Sequence, residues 1–378
     1  MPDWAAADRA RRAALPKIES DALMTVPSVL SDQPRQAAAS NSAIGIRTQL
    51  TRRVKQAGLL RRRPGYYAAK ISLTVLGFSA GWAGFVMLGS SWWTVAVAAF
   101  LAVAYTQVAF LGHDTGHRQV FASRRANYRL GLLLGNLGIG MSYGWWIDKH
   151  TRHHSNPNEI DADPDIAVGA LVFTGEQARC RGRAGRWLSR RQAHLFFPML
   201  LLEGLNLHVA GLRALLGPAV TSARDRISEV SLFAAHVVGY LTAVFLVLTP
   251  WQAVAFIAVH QALFGFYMGC SFAPNHKGMP VLTGDEKLDY VQRQVLTSRN
   301  VRGQWLTDFV LGGLNYQIEH HLFPNMPRPN LRRAHPLVRK FCDEHDIPFA
   351  ETGLIASYRL VLRHLREVGR PACPQSAH

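Results

Sequence analysis

The 378 residues hold only four cysteines, and none falls in a CxxC pair. That excludes a disulfide scaffold and a thiolate zinc finger. Charged residues make up only 18% of the chain, below the roughly one quarter usual for a soluble domain. No HExxH helix occurs, so the common zinc-hydrolase motif is missing. The Glu and ExxH pattern of soluble di-iron bundles is missing as well. No apolar core follows Met1, which speaks against a signal peptide there. The net charge is +17, but the basic residues are scattered and no nucleic-acid motif accompanies them, so no nucleic-acid partner is expected. What the chain does have is segregation. A mean hydropathy of +0.02 conceals long apolar runs set between arginine-rich blocks.

Four runs are long enough to cross a bilayer, which takes about 20 apolar residues: residues 71–89, 93–112, 231–248 and 251–272. None contains Lys, Arg, Asp or Glu. They come as two hairpins, turning at Ser90–Ser91–Trp92 and at Thr249–Pro250, with Trp92, Trp93 and Trp251 at the turns where amphipathic rings favour the interface. All 42 Lys and Arg lie in residues 1–70, 118–228 and 273–378. Two hairpins put those blocks on one side, and the positive-inside rule makes that side cytoplasmic.

The expected fold is therefore all-α and integral to the membrane: four transmembrane helices in two hairpins, with a cytosolic helical cap. The divisions are a basic, poorly ordered N-terminal segment (1–66), the first hairpin with its histidines (67–117), a cytosolic or interfacial region (118–228), the second hairpin (229–272) and a C-terminal cap (273–378). Two further apolar stretches, 128–147 and 195–216, carry glycines or polar residues and are read as interfacial or partly buried helices. The expected location is a bacterial-type inner (plasma) membrane, with both termini and the site cytoplasmic. The basic blocks also suit contact with anionic headgroups.

Sixteen histidines are a surplus, and they cluster. His113 and His117 form an HxxxH after the second run. His150, His153 and His154 form an HxxHH. Gln317, His320 and His321 form a QxxHH after the fourth run, and His276 stands alone beyond that run's end. On a helix, positions i, i+3 and i+4 share a face, so each cluster offers its imidazoles to one place, and all emerge on the same side. Eight histidines exceed the ligands of one ion and suit two. Imidazole suits Zn, Cu, Fe and Ni. An all-nitrogen two-metal site, of iron on this reading, fits the spacing, with zinc and copper left open. Gln317 stands where a ninth imidazole could sit, as a weak ligand or a hydrogen-bond partner of bound water. Asp114, Asp148, Asp161, Asp163, Asp165 and Glu319 are candidates for orienting the rings. The isolated His194, His208, His236 and His260 read as packing residues, and His335, His345, His364 and His378 as solvated.

The set HDTGH, KHTRHH and NYQIEHHLFP, with paired membrane hairpins, resembles the integral-membrane fatty acid desaturases. Gly144-Trp145-Trp146 through Asn158, then Asp163-Pro164-Asp165, is similar to the second-box region of that family. Gly312 through Pro324 is similar to its third box. The QxxHH form is typical of the branch with linoleoyl-CoA, front-end and related bacterial acyl desaturases. The resemblance covers roughly residues 65–350.

It implies a site of two iron ions held by His113, His117, His150, His153, His154, His276, His320 and His321, with Gln317 beside them. It implies O2 as co-substrate and two electrons. Hydrogens leave two neighbouring methylenes of a long acyl chain, carried on CoA or a lipid, and a cis double bond and water form. Arg152, Arg299 and Arg302 could touch an anionic carrier, though ordinary interfacial roles are the simpler reading. Many front-end relatives carry a fused cytochrome b5 with an HPGG motif. None occurs here, so the expected electron donor is separate: a ferredoxin, a flavin reductase or a cytochrome b5-like protein. Two other functions fit less well: a hydroxylase or ketolase of the same superfamily, and, more distantly, a membrane metal transporter.

Overall fold

The computed structural model describes residues 36–217 and 223–370. In chain order the helices are α1 (Gln36–Gln56), α2 (Pro64–Leu88), α3 (Thr94–Gly116), α4 (Arg124–Leu132) followed by a π-helical turn (Leu133–Gly138), α5 (Tyr143–Ser155), α6 (Gly175–Arg179), α7 (Arg183–Leu200), α8 (Glu203–Leu216), α9 (Ala223–Val247), α10 (Pro250–His276), α11 (Tyr290–Leu296), α12 (Trp305–Val310), α13 (Gln317–Leu322), α14 (Arg328–Glu344) and α15 (Leu354–Gly369). Two short strands, β1 (Asn300–Arg302) and β2 (Glu351–Gly353), pair in parallel.

Among the described residues, four helices are long and apolar enough to cross a membrane: α2, α3, Asp225–Val247 of α9, and α10. They pack around Phe85, Leu101, Tyr105, Tyr240, Phe256 and Phe264. Their outer faces stay apolar, with Leu76, Met87, Leu246 and Trp251 exposed. Helices apolar all round belong in lipid or a deep core, and so wide an exposed apolar surface does not suit water. These helices run past the apolar windows. α2 begins early enough to include Lys70, α9 to include Glu229, and α10 continues to His276. A fifth span exists only if α7 and α8, bent by 85° at Leu201–Leu202, count as one. The stretch 128–147 is likewise no single helix: a π-helical turn and a loop divide it between α4 and α5.

The N-terminal expectation needs correction. Residues 1–35 lie outside the described part, but 36–56 are helical. Within the compact unit beginning at Arg47, Leu50, Val54 and Leu59 are fully buried. Leu50 and Val54 sit one turn apart on a face that packs rather than being solvated.

The second box is fixed by three close fits. Ser142 caps α5, accepting from the Trp145 amide at 3.3 Å. Glu229, reaching from α9, accepts from Ser142 Oγ at 2.7 Å and from the Gly144 amide at 3.2 Å. A carboxylate at a helix N-terminus is favourable, and a Cβ on Gly144 would lie 2.3 Å from Glu229 Oε1. Tyr143 bridges α5 to the end of α3 through a 2.8 Å hydrogen bond with Thr115, and a Cβ on Gly131 would strike its ring at 2.0 Å.

Candidate metal centre

His113 lies in the last turn of α3, and His117 is that helix's C-cap. His150, His153 and His154 ride on α5, His276 ends α10, and His320 and His321 sit on α13. The side chains of all eight converge, but not box by box. His113, His117, His150, His154 and His320 bring ligand nitrogens within 4.8 Å of one another, and His153, His276 and His321 form a second such group. The expectation that each box serves one place is therefore corrected. Adjacent residues on a helix point about 100° apart, so each HH doublet divides: His154 and His320 join the first group, His153 and His321 the second. The groups adjoin, with the His154 and His321 rings stacked at 4.2 Å.

The donor set fits metal. In the second group every Nδ1 meets an acceptor: His153 with Asp163 at 3.0 Å, His276 with the Thr297 carbonyl at 3.0 Å, and His321 with Gln294 Oε1 at 2.8 Å. Those acceptors put the proton on Nδ1 and leave Nε2 as a bare lone pair. His153 Nε2 and His276 Nε2 then face each other at 3.3 Å with no proton between them. A cation between two such nitrogens, at about 2.0–2.1 Å from each, removes the repulsion. In the first group His117 Nε2 is 2.8 Å, and His154 Nε2 3.1 Å, from His150 Nε2. His113 Nε2, His321 Nε2 and both nitrogens of His320 are buried without a hydrogen bond. Buried polar atoms are nearly always partnered, and a bound cation would partner these.

Burial, reinforced by the neighbouring imidazoles, holds His117, His150, His154, His320 and His321 well below the usual imidazole range. They are neutral, the form that binds metal. Burial opposes the charge on Asp163, but the hydrogen bond and charge interaction with His153, joined by the nearby Lys277, together keep that carboxyl below the usual range.

Gln317 adjoins the second group: its Nε2 is 2.8 Å from His276 Nε2, and its Oε1 accepts from Asn275. Of the acidic candidates, Asp163 meets a ring directly, and Asp165 is 3.5 Å from His153 Nδ1 while pairing with Lys149. Asp114 turns to Arg328 at 2.7 Å, Glu319 to His335 and Asn300, and Asp148 to Arg152. Asp161 belongs to a left-handed turn. Sequence reading missed Gln294 and Thr297, which carry no motif and lie beyond the fourth span.

The isolated histidines also need correcting. His194 is exposed, whereas His208, His236 and His260 are packed. His335, His345 and His364 are half-buried rather than solvated; His335 bridges Glu319 and Glu351, and His345 stacks on Phe341. His378 lies outside the described residues. Arg299 is buried and donates to the Pro274 and Lys277 carbonyls, a structural role, while Arg152 and Arg302 are exposed.

A narrow apolar crevice between Val108, Ala109, Gly112, Ile139, Met141 and Met268 runs up to His113.

Comparison with known proteins agrees with this site. The sequence model described as "Fatty acid desaturase" matches residues 90–353. A membrane protein with clustered histidines able to hold metal is the class that fold and site define. The chain belongs to the fatty acid desaturase family. It is 32% identical to the "Acyl-lipid (9-3)-desaturase" of Physcomitrium patens, over 82% of this chain and 60% of that one. It is 28% identical to the "Delta(8)-fatty-acid desaturase" of Helianthus annuus, over 82% and 70%. It is 32% identical to the "Fatty acid desaturase 3" of Homo sapiens, over 76% and 64%. The matched part thus spans less than two thirds of the moss and human relatives.

Proposed function

We propose that this chain introduces a cis double bond into a long acyl chain, carried as a thioester or on a lipid. The observation that carries the reading is the pair of adjoining histidine groups, with His153 Nε2 and His276 Nε2 of the second facing each other at 3.3 Å without a proton between them. Two iron ions suit them, one per group, held by the eight histidines with Gln317 beside the second. Such ions, when bound, supply O2-dependent oxidation of an unactivated methylene at the expense of two electrons.

The chain's own residues do the rest. The Nδ1 acceptors fix which nitrogen each ring of the second group presents. The apolar crevice at His113 excludes water and favours an acyl chain by about 0.8 kcal/mol per methylene buried. It holds only about 20 Å³ of free space, so Met141 and Met268, unbranched and adaptable, must swing aside for a substrate. The 378 residues contain no HPGG motif, and electrons reach the site from a donor outside them: a ferredoxin, a flavin reductase or a cytochrome b5-like protein.

The topology we propose is two hairpins, with both chain ends, the cap and the site on the cytosolic side. His113 at the end of α3 and His320 beyond α10 belong to one group, which supports an even number of crossings between them. The sharp bend between α7 and α8, and the packing of Phe196 on α7 against Val361 and Leu365 of the cap, support a bent pair that does not cross.

The test is a fatty-acid profile. The chain is expressed with a compatible reductase and the acyl chains are analysed by gas chromatography and mass spectrometry with derivatised double bonds. A new alkene that is absent with His320→Ala supports the reading. Alcohols instead of alkenes, from iron-loaded protein with working electron delivery, would shift it to a hydroxylase.

A further inference from the structure

A groove of about 570 Å³ lies on the side of α3 away from the histidines. Phe100, Val103, Ala104 and Gln107 line it, at i, i+3, i+4 and i+7 of one helical face. Val108, Ala109, Gly112 and His113 of the crevice lie on the opposite face. The other walls come from α2, through Lys70, Leu73 and Gly77, and from α12 and the start of α14. The volume falls within the range of ordinary ligand sites.

The groove is graded. Its lower part is flanked by lipid-exposed side chains: Leu73 is 67% exposed, Phe100 48% and Val103 41%. At its upper end three cations meet one carboxylate: Lys70, Arg328 and Arg332 against Asp308. Arg328 is committed to Asp114 at 2.7 Å, and Arg332 lies 3.5 Å from Asp308. Lys70 has no carboxylate in ion-pair range among the described residues. Its ammonium donates to Gln107 Oε1 at 2.7 Å and lies 5.1 Å from the Phe309 ring centroid. Both partners are neutral, and an ammonium has three N–H donors. A cation held about 9 Å along a membrane helix from its start is costly unless something uses it.

We propose that this groove binds one phospholipid with an anionic phosphodiester headgroup: phosphate at Lys70 and one acyl chain down the channel past Gly77. The apolar walls open to the bilayer call for an amphiphile, and the single unmatched cation calls for one negative charge. Because the groove and the crevice occupy opposite faces of α3, this lipid is a bound partner and not the chain being desaturated.

Native mass spectrometry of the iron-loaded protein in detergent, with equimolar phosphatidylglycerol and phosphatidylcholine of identical acyl chains, tests this. One phosphatidylglycerol is expected to be retained in preference. Lys70→Gln is expected to lower that preference about fivefold, the worth of one Lys at a lipid surface. A Cβ on Gly77 meets no atom within 4 Å, so a side chain can start there, and Gly77→Phe is expected to occupy the channel and abolish retention while leaving iron content unchanged. Equal retention of the two lipids by the parent protein overturns the proposal, as does an undiminished phosphatidylglycerol adduct in Gly77→Phe. Retention of free fatty acid in place of phospholipid overturns it too. If Lys70→Gln does not fold, the parent and Gly77→Phe decide alone.

Discussion

The two histidine groups touch, yet they are held by different means. His153, His276 and His321 are each anchored through Nδ1 to an acceptor outside the group: a carboxylate, a backbone carbonyl and a side-chain amide. The five rings of the first group lean on one another. His150 Nε2 lies near both His117 and His154, His320 has no hydrogen bond at either nitrogen, and the carboxylate nearest His113 stands 3.8 Å away, committed to Arg328. One group is positioned from outside, the other by crowding and, on our reading, by its ion. Outer hydrogen bonds tune ligand basicity and orientation, so substitutions around the two groups should have different consequences.

The largest effect should come from the rings themselves. His320→Ala and His321→Ala each remove one nitrogen from one group, so each should abolish product while lowering bound iron from about two to about one per chain. Metal analysis of the purified variants checks this, and loss of all iron from either would show that the groups do not fill independently. Asp114→Asn comes next, and it should act on the fold. It strips the partner from Arg328, which is buried at the base of α14, and breaking such a pair costs about 3 kcal/mol. A thermal melt should fall while residual iron per folded molecule holds. Asp163→Asn should weaken only the second group, by roughly 10–100-fold in metal affinity, read by chelator titration. The smallest effect, near the lower end of that same range, is expected for Gln294→Leu, which frees the His321 ring while the His153 and His276 anchors remain. Should Gln294→Leu empty the first group instead, the contrast drawn between the groups is wrong.

Much of this was legible in the sequence. The apolar runs marked the four long helices, because a span must be apolar throughout its length. The three boxes and His276 named every ring that converges. Other features were hidden for physical reasons. Hydropathy marks where lipid contact ends and not where hydrogen bonding along the helix ends, so Lys70 and Glu229, both inside long helices, fell outside the apolar windows. The allotment of His153 and His154 to different groups depends on the orientation of α5, which spacing alone does not give. Picking Asp163 out of six acidic candidates required the turn at Asn158, whose amide also donates to Asp163. Thr297 contributes a backbone carbonyl, which has no sequence signature. The burial of Leu50 and Val54 was missed because a short amphipathic stretch in a basic, Ala-rich segment looks like solvated chain.

The partition of the doublets bears on how the protein is made. Each group takes one ring from α13, His320 for one and His321 for the other. Neither is complete until that short helix has been synthesised, more than forty residues after the last long apolar helix ends at His276. A ribosome delivering this chain will have released all four candidate spans before either group can close. On our reading of the groups, membrane insertion therefore comes first and metal acquisition second, and a chain truncated before α13 should reach the bilayer with both groups open.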